Sequence, residues 1–176
     1  MEKRVFIGMP AGPELREKIE RFRGARSSLP VRWVPVENLH VTLVPPWRCD
    51  DEEAVCAKLR QRLAGRACLE ARFSTIAVGP SRCRASLIWV SGGAHEAIGE
   101  LGRILSSLAA NRTDAEERDF LLHVTLARLK RGTSPRLRPE TVDWRCTFDR
   151  VRLYESIPHP EGARYETICE VALKIP

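Results

Sequence analysis

The pentapeptide Leu-His-Val-Thr-Leu occurs twice in the chain, at residues 39–43 and again at residues 122–126. Apolar and polar residues alternate within each copy, which is typical of a β-strand with one buried face. Successive side chains of a strand point to opposite faces, so the histidine and the threonine of each copy project together from the polar face. We therefore predict two strands that each present a His/Thr pair above an apolar underside.

The two pairs, His40 with Thr42 and His123 with Thr125, are separated by nearly half of the 176 residues. Strands lie between helices in both halves of the chain, which indicates two related αβ lobes. Lobes packed around a pseudo-twofold axis would place the two histidines face to face across a cleft.

Two opposed imidazoles can act as an acid and a base near neutral pH, because the ordinary pKa of histidine is about 6.5. In-line attack puts the entering and leaving oxygens on opposite sides of phosphorus, and threonine hydroxyls can donate hydrogen bonds to the anionic oxygens. The arrangement fits metal-free hydrolysis of a phosphodiester or cyclic phosphate. A lone histidine on a strand is more often structural, but the repeat favours a functional site.

The composition points to a soluble protein with an anionic partner. The formal net charge is +6, from 29 Lys and Arg against 23 Asp and Glu. Such a balance favours nucleotide or RNA, although a basic surface can also serve solubility alone. No signal peptide is recognisable, and no apolar run reaches the roughly 20 residues that span a bilayer. We expect a cytosolic protein that does not enter membranes.

The six cysteines contain no C-x-x-C pair and no metal-finger spacing, so reduced thiols without a metal site are expected. Periodicity and turn residues predict the secondary structure over residues 1–176, taken as a single domain of two intimately packed lobes. Strands are predicted at residues 4–9, 31–34, 38–44, 67–78, 84–91, 119–129, 144–155 and 164–174, and helices at residues 13–26, 51–65 and 94–110. The strand that starts at residue 38 is predicted to stop at Pro45-Pro46.

The chain resembles the 2H phosphoesterase superfamily, whose signature is two H-x-T/S-x motifs. Within it, the closest resemblance is to the bacterial and archaeal RNA 2',3'-cyclic phosphodiesterases, also described as 2'-5' RNA ligases. The likeness extends beyond the motifs and covers nearly the full chain. It is carried by residues 4–8, 31–39, 126–130 and 162–166.

The resemblance implies a bilobal α+β fold, with two antiparallel sheets around a central cleft and helices packed outside. It also implies opening of a 2',3'-cyclic phosphate at an RNA or oligonucleotide end to a 2'-phosphate, without metal or cofactor. His40 is assigned as the proton donor and His123 as the proton acceptor, with the reverse assignment left open. Thr42 and Thr125 would bind the phosphate. We expect a monomer with no obligate protein partner.

Two further residues are candidates for substrate contacts. Arg128 lies where relatives often carry a phosphate-contacting arginine. Strict alternation puts it on the face opposite Thr125, so this role requires the strand to end or bulge, and a solvated rim arginine is the alternative. Trp47 belongs to a Val-Pro-Pro-Trp run where relatives usually have Lys-Phe-Leu-Gly, and its indole could stack on a nucleobase or pack in the core.

The remaining histidines and several aromatic residues are expected to have ordinary structural roles. His95 and His159 lie outside any motif and are predicted at the surface. Trp33, Tyr154 and Tyr165 could line the cleft, but core packing is the favoured prediction for each.

Three functions are therefore considered. The first is hydrolysis of RNA 2',3'-cyclic phosphate ends. The second is a 2H phosphodiesterase or ligase that acts on 2'-5' linkages or on a small cyclic nucleotide. The third, from a different class, is a non-catalytic RNA- or nucleotide-binding module, which the presence of all four His/Thr positions disfavours.

Overall fold

The computed structural model describes residues 2–81, 85–93, 95–109, 120–130, 137–160 and 162–175. These residues form nine strands and three helices, with a short 3-10 turn at Val36–Asn38. In chain order they are β1 (Lys3–Pro10), α1 (Pro13–Gly24), β2 (Val31–Trp33), β3 (His40–Cys49), α2 (Glu52–Leu63), β4 (Leu69–Gly79), β5 (Leu87–Ser91), α3 (Glu96–Ser106), β6 (His123–Leu129), β7 (Glu140–Phe148), β8 (Arg150–Ile157) and β9 (Arg164–Ala172). The element ends predicted at residues 84, 94, 110 and 119 lie outside the described residues.

The strands form two antiparallel sheets, which confirms the predicted α+β class. The first, called here the His40 sheet, has the order β3-β1-β8-β9, and the second, the His123 sheet, has the order β2-β6-β5-β4-β7. In each sheet the strand that carries the motif histidine pairs with an antiparallel neighbour. This neighbour is β1 for β3 and β5 for β6. The additional strand β2 covers the outer edge of β6, whereas β3 remains an edge strand.

The sheets do not correspond to the two halves of the chain, because the last two strands return to the His40 sheet. The prediction of one strand at residues 144–155 is accordingly wrong. Asp149 separates β7, which pairs with β4, from β8, which pairs with β1. At this junction the carbonyl of Asp149 accepts a hydrogen bond from the amide of Leu173 at 2.7 Å, and its carboxylate binds the guanidinium of Arg150. Both segments have strand composition, so the change of sheet leaves no break in the sequence pattern.

The predicted stop at Pro45-Pro46 is also wrong, because β3 continues to Cys49. Proline lacks an amide hydrogen and is tolerated on an edge strand or at a bulge. Both conditions hold here, since β3 is an edge strand and its register with β1 shifts twice between Thr42 and Trp47. The shifts leave both prolines exposed and turn Trp47 inward.

The helices bury their apolar faces against one continuous core that includes both sheets. In α1, which begins at Pro13, the buried side chains follow helical spacing at Leu15, Ile19 and Phe22. Asp51 caps α2 by accepting a hydrogen bond from the amide of Ala54. None of the helices in the described ranges is long and apolar enough to cross a membrane.

Gly92, which follows β5, provides a test of how tightly the His123 sheet is packed. A Cβ at this position would lie 2.3 Å from the carbonyl oxygen of Arg72 and 2.8 Å from a methyl group of Leu122, the residue before His123. Gly92→Ala should therefore lower the free energy of unfolding by about 1–3 kcal/mol, because backbone must move. Gly93→Ala is the matched control, since nothing lies within 4 Å of its Cβ position. Equal urea midpoints for the two variants would contradict this packing.

Candidate active site

A cavity of about 570 Å³ opens between the two sheets. Strands of both sheets and the turn between β8 and β9 contribute side chains to its wall. The His40 sheet and this turn supply, among others, Phe6, His40, Thr42, His159 and Tyr165, and the other sheet supplies Arg32, Trp33, Thr125 and Arg128. The cavity therefore brings together residues from both copies of the repeated motif.

His40, the first residue of β3, is oriented by a backbone carbonyl that lies two residues earlier in the chain. Its Nδ1–H donates a hydrogen bond to the carbonyl of Asn38 at 2.6 Å. Asn38 is itself buried and fixed, because its side-chain amide donates to the carbonyl of Ala163 at 3.0 Å. With Nδ1 engaged as a donor, Nε2 is the atom of the neutral ring that can accept a proton.

His123 repeats this arrangement at the start of β6. Its Nδ1–H donates to the carbonyl of Leu121 at 2.9 Å, again two residues earlier in the chain. The ring contacts the indole of Trp89 on β5, with a centroid distance of 4.9 Å. Nε2 is therefore the proton-exchanging atom in both histidines.

The surroundings of His40 strongly disfavour its charged form. Its ring contacts Phe6 at 4.9 Å and Tyr165 at 5.3 Å. The pKa of His40 is lowered from 6.5 to about 4, mainly by burial and also by the neighbouring His123 and Arg128, although the hydrogen bond to Asn38 opposes them. His40 is therefore neutral at pH 7 in the unliganded protein.

Arg128 reaches the cavity because β6 contains a bulge. Thr125 pairs with Trp89 and Ala127 pairs with Ile88, so one extra residue, Leu126, is accommodated in β6. Leu126 and Ala127 are both buried as a result, and the alternation resumes with Arg128 on the cavity side. A substrate contact by Arg128 required the strand to end or bulge after Thr125, and β6 has this bulge.

The cavity wall contains His40, Thr42, Thr125 and Arg128, whereas His123 is not among the residues that line it and its ring contacts Trp89. The remaining candidate, Trp47, is not among the residues that line the cavity. Trp47 is only 7% exposed and belongs to the hydrophobic core, because the register shifts of β3 turn it inward. Its placement gives no support to a base-stacking role, and Pro46 is the residue of this run that lines the cavity.

Two aromatic residues line the cavity, although core packing was the favoured prediction for both. They are Tyr165 and Trp33, and Trp33 also packs against the core. Tyr154 is buried as predicted and stacks on Phe6. The signal for Trp33 and Tyr165 was their position inside two of the stretches that carry the family resemblance, at residues 31–39 and 162–166.

The outcome for the two other histidines is mixed. His159 is exposed, as predicted, but it also lines the cavity. The prediction of a surface position for His95 is wrong, because it is half-buried at the start of α3. Among the described residues no three His, Cys, Asp or Glu side chains form a group that could hold a metal ion.

Two facing antiparallel sheets, each with a His/Thr strand whose histidine is held in the same way, form the architecture expected of a 2H phosphoesterase. The chain belongs to the 2'-5' RNA ligase superfamily, whose family profile matches residues 11–158. The predicted enzyme class, a phosphoesterase, is confirmed.

Individual relatives agree with this classification. The chain is 31% identical over 161 residues to the RNA 2',3'-cyclic phosphodiesterase of Aeropyrum pernix, covering 84% of this chain and 89% of the relative. It is 22% identical over 177 residues to the protein of the same name from Methanocaldococcus jannaschii, with 95% and 99% covered. The crystal structure of TT0787 of Thermus thermophilus has the same fold, with a TM-score of 0.79, 23% identity and 97% of both chains covered.

The lowered pKa of His40 can be tested by NMR titration of the unliganded protein. We expect the His40 ring signals to titrate with a midpoint near pH 4, and the midpoint to rise when inorganic phosphate is added, because an anion favours the imidazolium. His40→Gln assigns the signals, and sodium chloride of equal ionic strength is the control for the added phosphate. A His40 midpoint at or above pH 6.5 would contradict the described environment.

The same shift has a consequence for stability. The folded pKa of His40 lies below its unfolded value of 6.5, so the unfolded chain takes up this proton first as the pH falls. The contribution of His40 therefore makes the free energy of unfolding rise with pH between about 4 and 6.5. Urea unfolding of the wild type and His40→Gln across this range should show the steeper slope in the wild type.

Proposed function

We propose that this protein hydrolyses the 2',3'-cyclic phosphate ends of RNA or oligonucleotides to 2'-phosphates, with His40 and His123 as an acid–base pair. The observation that carries this proposal is the common geometry of the two histidines. Each donates from Nδ1 to a carbonyl two residues earlier, so each offers Nε2 for proton transfer. The relatives from Aeropyrum pernix and Methanocaldococcus jannaschii are both RNA 2',3'-cyclic phosphodiesterases by name, which supports the same substrate class.

In the proposed reaction His123 accepts a proton from a water molecule as the water oxygen attacks phosphorus. The bond between phosphorus and the 3' oxygen breaks, and His40 donates its proton to that oxygen. The product carries a 2'-phosphate and a free 3' hydroxyl, and no metal or cofactor takes part. Opposed histidines suit this step because the entering and leaving oxygens lie on opposite sides of phosphorus.

The low pKa of His40 bears directly on the assignment of roles. A neutral His40 cannot donate a proton, so the assignment requires the bound substrate to raise its pKa. A phosphodiester carries a negative charge, which favours the imidazolium. If the substrate does not have this effect, the roles are reversed and His40 is the base.

Three other side chains are proposed to hold the phosphate. The hydroxyl groups of Thr42 and Thr125 project from the same strand faces as the histidines and can donate hydrogen bonds to the non-bridging oxygens. Arg128 adds a charged donor from the same wall of the cavity. We further propose that the protein acts as a monomer in the cytosol and that residues 1–176 form one domain.

The same groups allow a second function of the same class. With a 5' hydroxyl in place of water as the nucleophile, the same step breaks the bond between phosphorus and the 3' oxygen and forms a 2'-5' linkage, and the superfamily is named for 2'-5' RNA ligation. Cleavage or formation of 2'-5' linkages is therefore the alternative activity. A binding module without turnover is the third possibility.

The decisive assay is hydrolysis of a short RNA with a 2',3'-cyclic phosphate end in the presence of EDTA. We expect a 2'-phosphate product, and a loss of about 10²–10⁴-fold in kcat for either His40→Ala or His123→Ala, which is the usual contribution of a general acid or base. His95→Ala is the matched control, because its ring lies at the start of α3. A wild type that binds the RNA without turnover would contradict the proposal and favour the binding module.

A further inference from the structure

Four arginines line the cavity without an ion-pair partner among the described residues. They are Arg4, Arg32, Arg128 and Arg164. Several arginines outside the cavity do form ion pairs, as in the bond from Arg72 to Asp143 at 2.7 Å. Unpaired guanidinium groups around a cavity favour an anionic ligand with more than one charged group.

Arg32 and Arg128 form the closest association of this set. They are direct cross-strand partners in the antiparallel pair β2–β6, and both are exposed. Side chains at such positions project from the same face of the sheet, and like charges directly opposite one another are destabilising. An anion bound between the two guanidinium groups would remove this repulsion.

The guanidinium of Arg32 also lies near a turn of the other sheet. A Cβ at Gly162, in the turn between β8 and β9, would lie 3.4–3.6 Å from three atoms of this guanidinium. Gly162 has a φ of 119°, a conformation that other residues rarely adopt. A side chain at this position would therefore crowd the guanidinium, and glycine leaves it room.

The position of Arg32 places it beyond the reacting groups. Along β6, Arg128 follows Thr125 after the bulge. Arg32 is the partner of Arg128 on the neighbouring strand β2, and the two strands lie about 5 Å apart. On this wall Arg128 therefore lies between Thr125 and Arg32, so its guanidinium can contact a phosphate on either side. A nucleic acid strand that leaves the phosphate beside Thr125 toward β2 meets Arg32 next.

We propose that Arg32, together with Arg128, forms a second phosphate subsite, which binds the phosphodiester that joins the terminal nucleotide to the rest of the strand. The inference rests on the proposed function and adds a substrate preference to it. A nucleoside 2',3'-cyclic phosphate has only the reacting phosphate, so it leaves the subsite empty. A dinucleotide with a terminal cyclic phosphate fills it.

The test compares kcat/KM for these two substrates. We expect the wild type to favour the dinucleotide by about 10–100-fold, the range that charge-assisted hydrogen bonds provide. Arg32→Gln should reduce this ratio toward one, mainly by raising KM for the dinucleotide. The matched control is Arg62→Gln on the exposed face of α2, which removes the same charge and should keep the ratio.

A neutral methylphosphonate linkage in the dinucleotide completes a double-perturbation cycle. If Arg32 acts on the internal phosphate, the neutral linkage should cost the wild type as much as Arg32→Gln does, and the two changes together should cost little more. Additive losses, or equal kcat/KM values for the mononucleotide and the dinucleotide in the wild type, would overturn the subsite.

A failure of the proposed hydrolysis can be distinguished from a failure of the Arg32 subsite. Turnover of the mononucleotide tests the histidine chemistry without the subsite. If neither cyclic substrate is cleaved, titration calorimetry with a mononucleotide 2'-phosphate and the corresponding dinucleotide 2'-phosphate gives the affinity ratio directly. A ratio near one that Arg32→Gln does not change would overturn the subsite in that case.

Discussion

A hydrogen bond to a carbonyl just before the strand orients each histidine, and the site depends on it. The carbonyl of Asn38 accepts from Nδ1 of His40, and the carbonyl of Leu121 accepts from Nδ1 of His123. The bond fixes the tautomer and leaves Nε2 for the substrate. Because donor and acceptor are only two residues apart, this orientation forms with each strand. Tertiary structure has only to bring the two strands to one cleft.

The two identical pentapeptides nevertheless have different surroundings. His40 lies on an edge strand among Phe6, Tyr154 and Tyr165, and burial lowers its pKa to about 4. His123 lies on a strand flanked on both sides and contacts the indole of Trp89. An acid–base pair needs two groups that hold their protons differently at the same pH. The pKa of His40 is thus set by the side chains around it, since the pentapeptide is the same in both strands.

Local patterns predicted the parts of the structure that depend on short-range geometry. The strands at residues 39–43 and 122–126 follow from alternation, which also places their histidines and threonines on one face. Asp149 could not be recognised as a change of sheet, because pairing between distant strands decides it. Arg128 required a bulge that alternation cannot show, and Trp33 faces the cavity only because β2 joins the His123 sheet.

The most direct test of the two-histidine account is the pH dependence of kcat for a 2',3'-cyclic phosphate substrate in the wild type and in each histidine variant. A bell-shaped profile is expected for the wild type, since one group must be deprotonated and the other protonated. The account predicts that His123→Ala abolishes the rising limb at low pH and that His40→Ala abolishes the falling limb at high pH. Exchange of the two limbs would reverse the roles of the histidines. Profiles that stay bell-shaped in both variants would contradict the account.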